Sequence, residues 1–379
     1  MVVDVGDRVA DLLQSLRDGV QAQVLWLDGR LDAGESLEGM RGLTGCRTTV
    51  PRDPRAVLVA PDAFKGTFSA AQVAAAIGRG LEAAGCVPPD LCPVADGGEG
   101  TLSVLLTALG GETRGAEVRD PLGRTVRAGF GLIEDGATAV VEMAEASGLG
   151  RVAEGERDAE AASSSGTGEL VCAAVDEGAS VVLVAAGGSA TTDGGAGAIE
   201  AIETGGGLRG AALVMLCDVR TPFERAAEVF AAQKGADADA VVRLTARLHD
   251  LASSLPRDPR GVPGGGAAGG LAGGLWAAFG AVIEPGAPFV LDAVGFEARM
   301  RAARAVVAGE GRLDASSLAG KITGEAATRA RQAGVPCHAV VGVNALDRLD
   351  ARILDLQAIL EASTLGEIEA AGSALAAYL

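Results

Sequence analysis

From Ala56 onward the chain repeats one pattern: a short apolar run, a polar glycine-rich stretch, and then apolar residues at helical spacing. Apolar runs of about four to eight residues between turn signals are typical of buried strands. The runs that fit this description are 56–60, 91–95, 181–186, 213–216, 304–308 and 338–342. Strands that alternate with helices predict an α/β protein with a mainly parallel sheet and right-handed crossovers.

The helix after the first apolar run has clear boundary signals. Ser69 and Gln72 have the spacing of a capping box, in which each side chain bonds to the backbone of the other residue. Val73 and Ile77 follow at helical spacing, and Gly85 marks the end. The sequence therefore predicts a helix between Ser69 and Gly85.

Residues 1–55 do not continue this pattern. A helix is predicted over 6–18 and a short strand over 23–27, and two prolines among charges over 48–55 predict a linker. We therefore expect an appended N-terminal segment, for which the sequence predicts no role. The first seven residues contain acids and no basic region, so no signal peptide is expected. Because no charge-free apolar run of about 18 residues occurs, no transmembrane helix is expected either.

Composition and charge narrow the function classes. Hydrophobic residues make up 48% of the chain but aromatic residues only 3%, so the core must be built from Ala, Val and Leu. The net charge of −18 disfavours nucleic acid and membranes as partners. Six scattered cysteines and two histidines disfavour a zinc site and favour reduced thiols in a cytoplasmic protein. The oligomeric state stays open, with a homodimer as one candidate.

Only three of the 32 basic residues are lysines, namely Lys65, Lys234 and Lys321. Each of them lies next to a glycine in a polar stretch. Lysine is a compact point charge on a flexible stem, whereas arginine is a rigid fork. A point charge suits a phosphate that moves during a reaction. The alternative is that a coding bias toward arginine left three lysines at chance positions.

The polar stretches follow the ends of predicted strands, where parallel sheets bind ligands, so we expect them to converge on one edge. Asp62 and Lys65 follow the first strand, which predicts a lysine on a phosphate and an acid that holds the lysine or a substrate hydroxyl. An ordinary turn with an exposed ion pair is the alternative. Asp96 and Glu99 lie around a glycine turn and suit a hydrated Mg²⁺, although acids also stabilise a helix N-terminus by themselves.

The stretch 187–197 is the most specific feature of the sequence, with five glycines, three hydroxyl residues and one acid. Backbone N–H groups in such a loop, followed by a helix, form an anion cradle. Asp193 is predicted to take the proton from an attacking hydroxyl. The residues predicted here to bind the nucleotide are Gly187, Gly188, Ser189, Thr191 and Gly194.

Residues 309–321 resemble a phosphate loop in content, but Ala315 stands where a Walker A motif needs glycine. Ser316 and Lys321 are predicted to contact phosphates, and Glu310 or Asp314 to hold a metal ion. Residues 264–274 are rich in glycine and predict either a flexible linker or a hinge-like substrate loop. These parts together resemble phosphoryl-transfer sites. A nicotinamide enzyme is not expected, because no G-x-G-x-x-G with an acidic partner occurs.

These motifs resemble those of the bacterial glycerate kinase family, the type that phosphorylates the 2-hydroxyl of D-glycerate with ATP. The matching stretches are 60–66, 93–101, 165–170, 187–197, 217–219, 233–236, 266–270, 309–314 and 320–321. The resemblance implies two segment-swapped α/β domains with the active site in the cleft between them. Residues 56–115 and 285–379 would form a flavodoxin-like domain with a parallel sheet, and residues 116–284 the second α/β domain. It also implies ATP and Mg²⁺ as cofactors.

The resemblance marks candidate site residues, to which we assign roles by their chemistry. Asp193, Lys65 and Lys321 are predicted to be catalytic. The predicted substrate-binding residues are Asp62, Lys65, Ser189, Lys234 and Arg220, the last as a bidentate clamp on the acceptor carboxylate. The predicted metal ligands are Asp96, Glu99, Glu310 and Asp314.

The chain also departs from the family pattern. The segment 198–212 is shorter than usual, and residues 222–233 lack the expected glycines. The identity of the acceptor is therefore less defined than the kinase chemistry. One alternative is a kinase of the same fold that acts on another small hydroxy acid or a specialised metabolite. Another is a non-catalytic nucleotide-binding protein in which residues 1–55 bind a partner.

Overall fold

The structure, a computed structural model, describes Gln14 and residues 53–379. Apart from Gln14, the helix predicted over 6–18 and the strand predicted over 23–27 lie outside the described residues. The strands are β1 (Val57–Pro61), β2 (Asp90–Leu91), β3 (Glu112–Arg119), β4 (Thr125–Ile133), β5 (Thr138–Glu142), β6 (Val181–Ala185), β7 (Ala212–Cys217), β8 (Val282–Pro285), β9 (Ala305–Leu313), β10 (Cys337–Asn344) and β11 (Leu356–Glu361).

The helices connect these strands. They are α1 (Ala70–Ala83), α2 (Thr101–Leu109), α3 (Met143–Ser147), α4 (Ser165–Asp176), α5 (Ala196–Thr204), α6 (Ala226–Phe230), α7 (Ala238–Ser254), α8 (Leu271–Phe279), α9 (Gly286–Ala293), α10 (Phe296–Ala302), α11 (Ile322–Ala333), α12 (Arg348–Leu354) and α13 (Leu365–Leu375). Within the described part of the chain, no helix is both long and apolar enough to span a bilayer.

The first sheet is entirely parallel and has the strand order β11-β10-β9-β1-β2. Its strands come from two distant stretches of the chain, and Val57 of β1 lies opposite Ala305 of β9. The order changes direction between β1 and β9, because the chain leaves β1 toward β2 and later returns through β9 toward β11. A crevice outside the strand ends at such a switch point is the usual ligand site of this kind of sheet.

The second sheet contains β3 to β8 in chain order. Strands β5 to β8 are parallel, but β3, β4 and β5 pair antiparallel, so this sheet is mixed. The predicted apolar runs omit β3 because four of its eight residues are charged and most of the strand is exposed. The strand predicted over 91–95 is wrong beyond Leu91, although the N–H groups of Cys92 and Val94 still donate to carbonyls of β1.

Helix α1 confirms the predicted boundary signals. The Ser69 hydroxyl accepts a hydrogen bond from the N–H of Gln72 at 3.3 Å, and the Gln72 side chain accepts one from the N–H of Ser69 at 2.9 Å. Gly85 follows the end of the helix with φ of +79°. The buried face of α1 includes Val73 and Ile77. The capping box fixes where the helix begins, just after the polar loop that carries Lys65.

One hydrophobic core joins the two sheets. It contains Leu58 of β1, Leu183 of β6 and Val214 of β7, with Phe289 of α9 packed among them. The carboxyl ends of β1 and β7 therefore lie near one another across the core. As a result, polar loops from both sheets meet at one edge of the molecule.

Candidate active site

The loop after β1 and the loop after β2 meet through an ion pair. The Lys65 Nζ donates to Asp96 Oδ2 at 2.8 Å. The lysine side chain is 51% exposed, while that of Asp96 is 3% exposed. Burial by itself would lower the pKa of Lys65, but Asp96 and Asp62 together raise it, so this side chain stays cationic. Asp96 thus holds the ammonium group of Lys65 in place at the sheet edge.

Two further carboxylates surround this pair. Burial and then the neighbouring Asp96 raise the pKa of Asp62 well above its usual range. The same two causes raise the pKa of Asp218, which follows β7 in the second sheet. Lys65 opposes both shifts. Carboxyl groups that are held close together in a desolvated site accept protons at a higher pH than isolated ones.

The loop after β9 brings a second lysine to the cluster. The Lys321 Nζ lies 3.9 Å from Glu310 Oε2, and Glu310 also accepts a hydrogen bond from the Ser317 hydroxyl at 2.8 Å. Burial raises the pKa of Glu310 in spite of these partners. Lys321 directly precedes helix α11 as its N-cap residue. A cation and a helix N-terminus therefore face the same region, which favours an anionic ligand.

Two cavities adjoin this cluster. The larger measures about 460 Å³ and lies at the switch point between β1 and β9. Its charged and apolar lining includes Asp62, Phe64, Lys65, Asp96, Glu310, Arg312, Lys321 and Val343. The smaller measures about 300 Å³ and lies beyond the ends of β7 and β8, where it is lined by Cys217, Asp218, Arg220, Pro263, Ile283, Glu284 and Gly320. Asp218 in the smaller cavity interacts electrostatically with Asp96, Lys65 and Lys321 in the larger one, so the charged cluster adjoins both cavities.

Glycines let the loop after β2 pass between the sheets. A Cβ on Gly187 would lie 2.6 Å from the Cα of Gly98, and a Cβ on Gly286 would lie 2.6 Å from the Cα of Gly97. Backbones cannot approach so closely with larger residues. The glycines of 96–100 and 187–188 therefore bring Asp96 to the point where the two sheets meet.

The glycine-rich stretch 187–197 is mostly occupied by internal bonds. Asp193 is 2% exposed, and its oxygens accept from Ser164 N (2.8 Å), Ser164 Oγ (2.8 Å), Gly195 N (3.1 Å) and Gly197 N (3.2 Å). A carboxylate has about four acceptor positions, so these donors fill them. The N–H of Gly194 donates to the Gly269 carbonyl. Residues 193–197 are therefore held by hydrogen bonds within the protein. Only the first residues of the stretch, from Gly187, remain candidates for the predicted phosphate cradle.

Lys234 belongs to the same network. It is 2% exposed and donates to Ser189 Oγ at 2.8 Å and to the Thr191 carbonyl at 2.6 Å. Burial lowers the pKa of Lys234 to about 7, and Asp193 opposes the shift. Lys234 therefore holds the backbone of the loop and lines neither cavity, whereas Lys65 and Lys321 line the larger one.

The predicted residues fall into separate groups. Asp62, Lys65, Asp96, Glu310 and Lys321 share the larger cavity, and Arg220 lines the smaller one. Glu99 lines a neighbouring surface depression with Lys65. Asp314 caps the short turn 315–319, where its Oδ1 accepts from the Ser316 N–H at 3.0 Å, so these two residues bond to each other. The prediction that all polar stretches converge on one edge is thus too broad.

The stretch 264–274 is not a flexible linker, and Gly264 at its start lines the smaller cavity. Residues 266–270 are buried, and Gly269 accepts the hydrogen bond from Gly194 beneath the glycine-rich stretch. A Cβ on Gly269 would lie 1.9 Å from the Thr191 carbonyl oxygen. Its glycines serve close packing, which composition alone does not distinguish from flexibility.

Two site residues were not singled out in the sequence. Asp218 follows an apolar strand, as Asp62 does, and that position was the available signal. Glu142 ends β5, is 6% exposed, and accepts hydrogen bonds from the N–H groups of Gly100 and Leu102. No sequence signal for Glu142 was available, because its partners lie far away in the chain.

The fold and the charged cluster define an α/β phosphotransferase that acts on a small molecule. The model of the glycerate kinase family matches residues 57–206 and 203–372, two overlapping stretches that meet in the shortened segment. The chain belongs to the glycerate kinase family.

Its similarity to known relatives is extensive. It is 35% identical to the glycerate 2-kinase of Escherichia coli (strain K12), over 76% of this chain and 84% of that protein. It is 39% identical to the glycerate kinase of Bacillus subtilis (strain 168), again over 76% and 84%. The crystal structure of a glycerate kinase 2 from Salmonella typhimurium LT2 superimposes with a TM-score of 0.72 and 32% identity, covering 86% of this chain and 98% of that one.

Proposed function

We propose that this protein is an ATP-dependent kinase that phosphorylates D-glycerate at its 2-hydroxyl and forms 2-phospho-D-glycerate. The observation that carries the proposal is the cluster of Lys65, Asp96 and Lys321 at the switch point of the first sheet, in a chain of the glycerate kinase family. The relative from Escherichia coli is named a glycerate 2-kinase, which favours the 2-position.

The chemistry of the cluster fits Mg²⁺ as the companion of ATP. In the described part of the chain, no three carboxylate, histidine or cysteine side chains surround one metal position. Mg²⁺ at phosphate sites needs only one or two carboxylates, because waters and phosphate oxygens complete its shell. Asp96 is the best placed ligand, and Asp62 and Glu310 line the same larger cavity. Bound Mg²⁺ would neutralise the charge on the transferring phosphoryl group.

The two lysines would hold the phosphates of ATP. Lys65 is fixed by Asp96 but remains half exposed, and Lys321 stands at the N-terminus of α11. Both line the larger cavity, whose size suits a nucleotide. Positive charge that is fixed before the reaction stabilises charge that develops during phosphoryl transfer. We therefore assign the nucleotide to the larger cavity.

The acceptor would bind in the smaller cavity. Arg220 lines this cavity and can clamp the carboxylate of glycerate. Asp218 lines the same cavity as Arg220 and interacts electrostatically with both lysines, so it can accept the proton of the 2-hydroxyl as the oxygen attacks the γ-phosphorus. The raised pKa of Asp218 favours that role. Asp193 was predicted from the sequence as the base, but its four hydrogen bonds favour a role in holding the loop.

The direct test is ADP release from Mg²⁺-ATP with D-glycerate, beside a panel of other small hydroxy acids. The phosphorylated product is then analysed as 2- or 3-phosphoglycerate. Turnover of D-glycerate to the 2-phosphate is the expected result, and it should disappear in Lys65→Met. Turnover of D-glycerate to the 3-phosphate would contradict the predicted position of transfer.

A different acceptor is the second candidate. The observation that favours it is the shortened segment 198–212, at which the family match divides into two stretches. If another hydroxy acid is turned over and D-glycerate is not, the kinase proposal stands and the acceptor assignment falls. If Mg²⁺-ATP binds but no acceptor is phosphorylated, a non-catalytic nucleotide-binding role is favoured.

A further inference from the structure

Helix α2 begins without a cap of its own. Its N-cap residue is Gly100, which has φ of +96° and no side chain to bond the first turn. The missing acceptor comes from the second sheet. Glu142 Oε1, at the end of β5, accepts from the N–H of Gly100 at 2.9 Å and from the N–H of Leu102 at 2.7 Å. Exposed N–H groups at a helix start need such a partner.

This cap lies at one end of the loop that carries Asp96. At the other end, Asp96 Oδ2 accepts from Lys65 at 2.8 Å, and its Oδ1 accepts from the N–H of Gly98 at 3.1 Å. The loop is short, and its glycines offer no side chains that could hold it. Gly98 instead lies against the backbone of Gly187. A shift of the end held by Glu142 would therefore shift Asp96 relative to Lys65.

We propose that Glu142 is a positioning residue for phosphoryl transfer: by holding Gly100 and Leu102, it sets the place of the Asp96–Lys65 pair between the two sheets. Glu142 lines neither cavity, so it acts through the loop. The proposal rests on the proposed kinase function. It adds an element that couples the second sheet to the phosphate site of the first.

The surroundings of Glu142 make this role sensitive to pH. Burial raises the pKa of Glu142 to about 7, and the carboxylates of Glu145 and Glu99 add to the shift, while the two N–H donors oppose it. Glu145 is itself paired with Arg151 at 3.0 Å. An ionised carboxylate accepts stronger hydrogen bonds than a neutral one, so the loop is held more firmly above that pKa.

Activity and stability should therefore respond to pH in opposite directions. The folded-state pKa lies above the unfolded value, so the contribution of Glu142 to stability is full at low pH and is lost as pH rises through about 7. The hold on the loop, in contrast, strengthens over the same range. Glu142→Gln keeps the shape of the side chain and stays neutral. Above about pH 8, the Glu142→Gln variant should be more stable than the wild type but less active. Near about pH 5, where Glu142 is protonated, both differences should be small.

The experiment compares Glu142→Gln and Glu142→Ala with Glu169→Gln as the matched control. Glu169 Oε2 also accepts a hydrogen bond from a backbone N–H, that of Arg119 at 2.7 Å, but it lines neither cavity. For each variant we would measure kcat and KM between about pH 5 and 8.5, together with the unfolding free energy. Hydrogen exchange of the segment 96–102 reports the hold on the loop directly.

Glu142→Ala is expected to lose at least about tenfold in kcat with little change in the KM for the hydroxy acid, because small misplacements cost large factors in rate. Its segment 96–102 should also exchange faster. Wild-type kcat should rise through about pH 7, and this rise should be smaller in Glu142→Gln, where the ionisation of Asp218 remains but that of Glu142 is lost. The control should show neither effect. Unchanged kcat in Glu142→Ala at every pH, with faster exchange, would overturn the positioning role.

A failure of the proposed function gives a different result. In that case the wild type turns over no hydroxy acid at all, and the affinity for Mg²⁺-ATP becomes the readout. Weaker binding of Mg²⁺-ATP by Glu142→Ala than by the wild type and the control would still support the positioning role. Equal binding by all three would contradict it.

Discussion

At the scale of single residues, Asp193 and Asp218 show how hydrogen bonding separates two similar acids. Asp193 accepts four hydrogen bonds, two from its own loop and two from Ser164, whereas Asp218 borders a cavity and interacts electrostatically with Lys65 and Lys321. The first arrangement holds backbone in place. The second leaves a carboxyl group available to a hydroxyl, with a pKa raised by burial.

The variants Asp218→Asn and Asp193→Asn should therefore fail in different ways. Asp218→Asn is expected to lose about 100-fold or more in kcat, the usual contribution of a general base, with little change in unfolding free energy. Asp193→Asn is expected to lose about 1–3 kcal/mol of unfolding free energy, because its buried donors lose a charged partner. Steady-state kinetics and urea unfolding of both proteins check this. A large loss of kcat in Asp193→Asn with little effect of Asp218→Asn on kcat would instead assign the general base to Asp193.

His338 gives a second prediction at this scale. It is fully buried in β10, burial lowers its pKa, and neither ring nitrogen has a hydrogen-bond partner within the described residues. Its folded-state pKa lies below the unfolded value of about 6.5, so its contribution to stability is present above that pH and is lost as pH falls through the folded value. Unfolding free energies of the wild type and His338→Leu, measured from about pH 8 to 5, should show a steeper acid loss in the wild type. Parallel curves would exclude this role.

At the scale of elements, the contact between α1 and α13 depends on glycines in both helices. A Cβ on Gly80 would lie 2.0 Å from the carbonyl oxygen of Glu369, and one on Gly372 would lie 2.4 Å from that of Ile77. These helices cover one face of the first sheet, where Ile77 and Ile368 share a core. Close helix contact, and not chain flexibility, explains these two glycines.

Gly80→Ala should therefore destabilise the protein, although alanine favours helices. Overpacking of this kind costs about 1–3 kcal/mol, more than the gain of about 1 kcal/mol in helix propensity. The matched control is Gly366→Ala in α13, where a Cβ would meet nothing within 4 Å, and a small gain is expected. Urea unfolding compares the two variants. Equal changes in both would show that packing does not decide the effect.

At the scale of the whole molecule, we expect activity to depend on how closely the two sheets approach. Lys65, Asp96 and Lys321 belong to loops of the first sheet, and Asp218 and Arg220 to a loop of the second. The glycine contacts Gly97–Gly286 and Gly98–Gly187 hold the two sets together. A change at these contacts should therefore alter the rate without touching any charged group.

Gly286→Ala tests that dependence. Its Cβ would lie 2.2 Å from the Asp96 carbonyl oxygen, so the loop must move. A loss of about 100-fold in kcat is expected, since a displacement of about 1 Å can cost that much. Gly150→Ala is the control, because a Cβ there would meet nothing within 4 Å. Circular dichroism checks that both variants fold. A wild-type kcat in Gly286→Ala as well as in Gly150→Ala would show that the sheets tolerate separation.

The sequence by itself determined five of the eleven strands that the structure describes, the capping box of α1, and the family. These features depend on local patterns: apolar runs predict β1, β6, β7, β9 and β10, and the spacing of Ser69 and Gln72 fixes a helix start. Lys65 and Asp96 could be predicted as site residues for the same reason, since each lies in a polar loop that follows an apolar run.

Only the tertiary structure decided which of these residues meet. The pairing of β1 with β9 creates the switch point, and it joins segments that no local pattern connects. The polar residues of 187–197 have the composition of a ligand loop, but the structure encloses Asp193 and Lys234 in a buried network. Glu142 acquires its role from two N–H groups that lie in another part of the chain. Residue type sets the chemistry that a side chain can perform, but burial and long-range partners decide whether that chemistry faces a ligand.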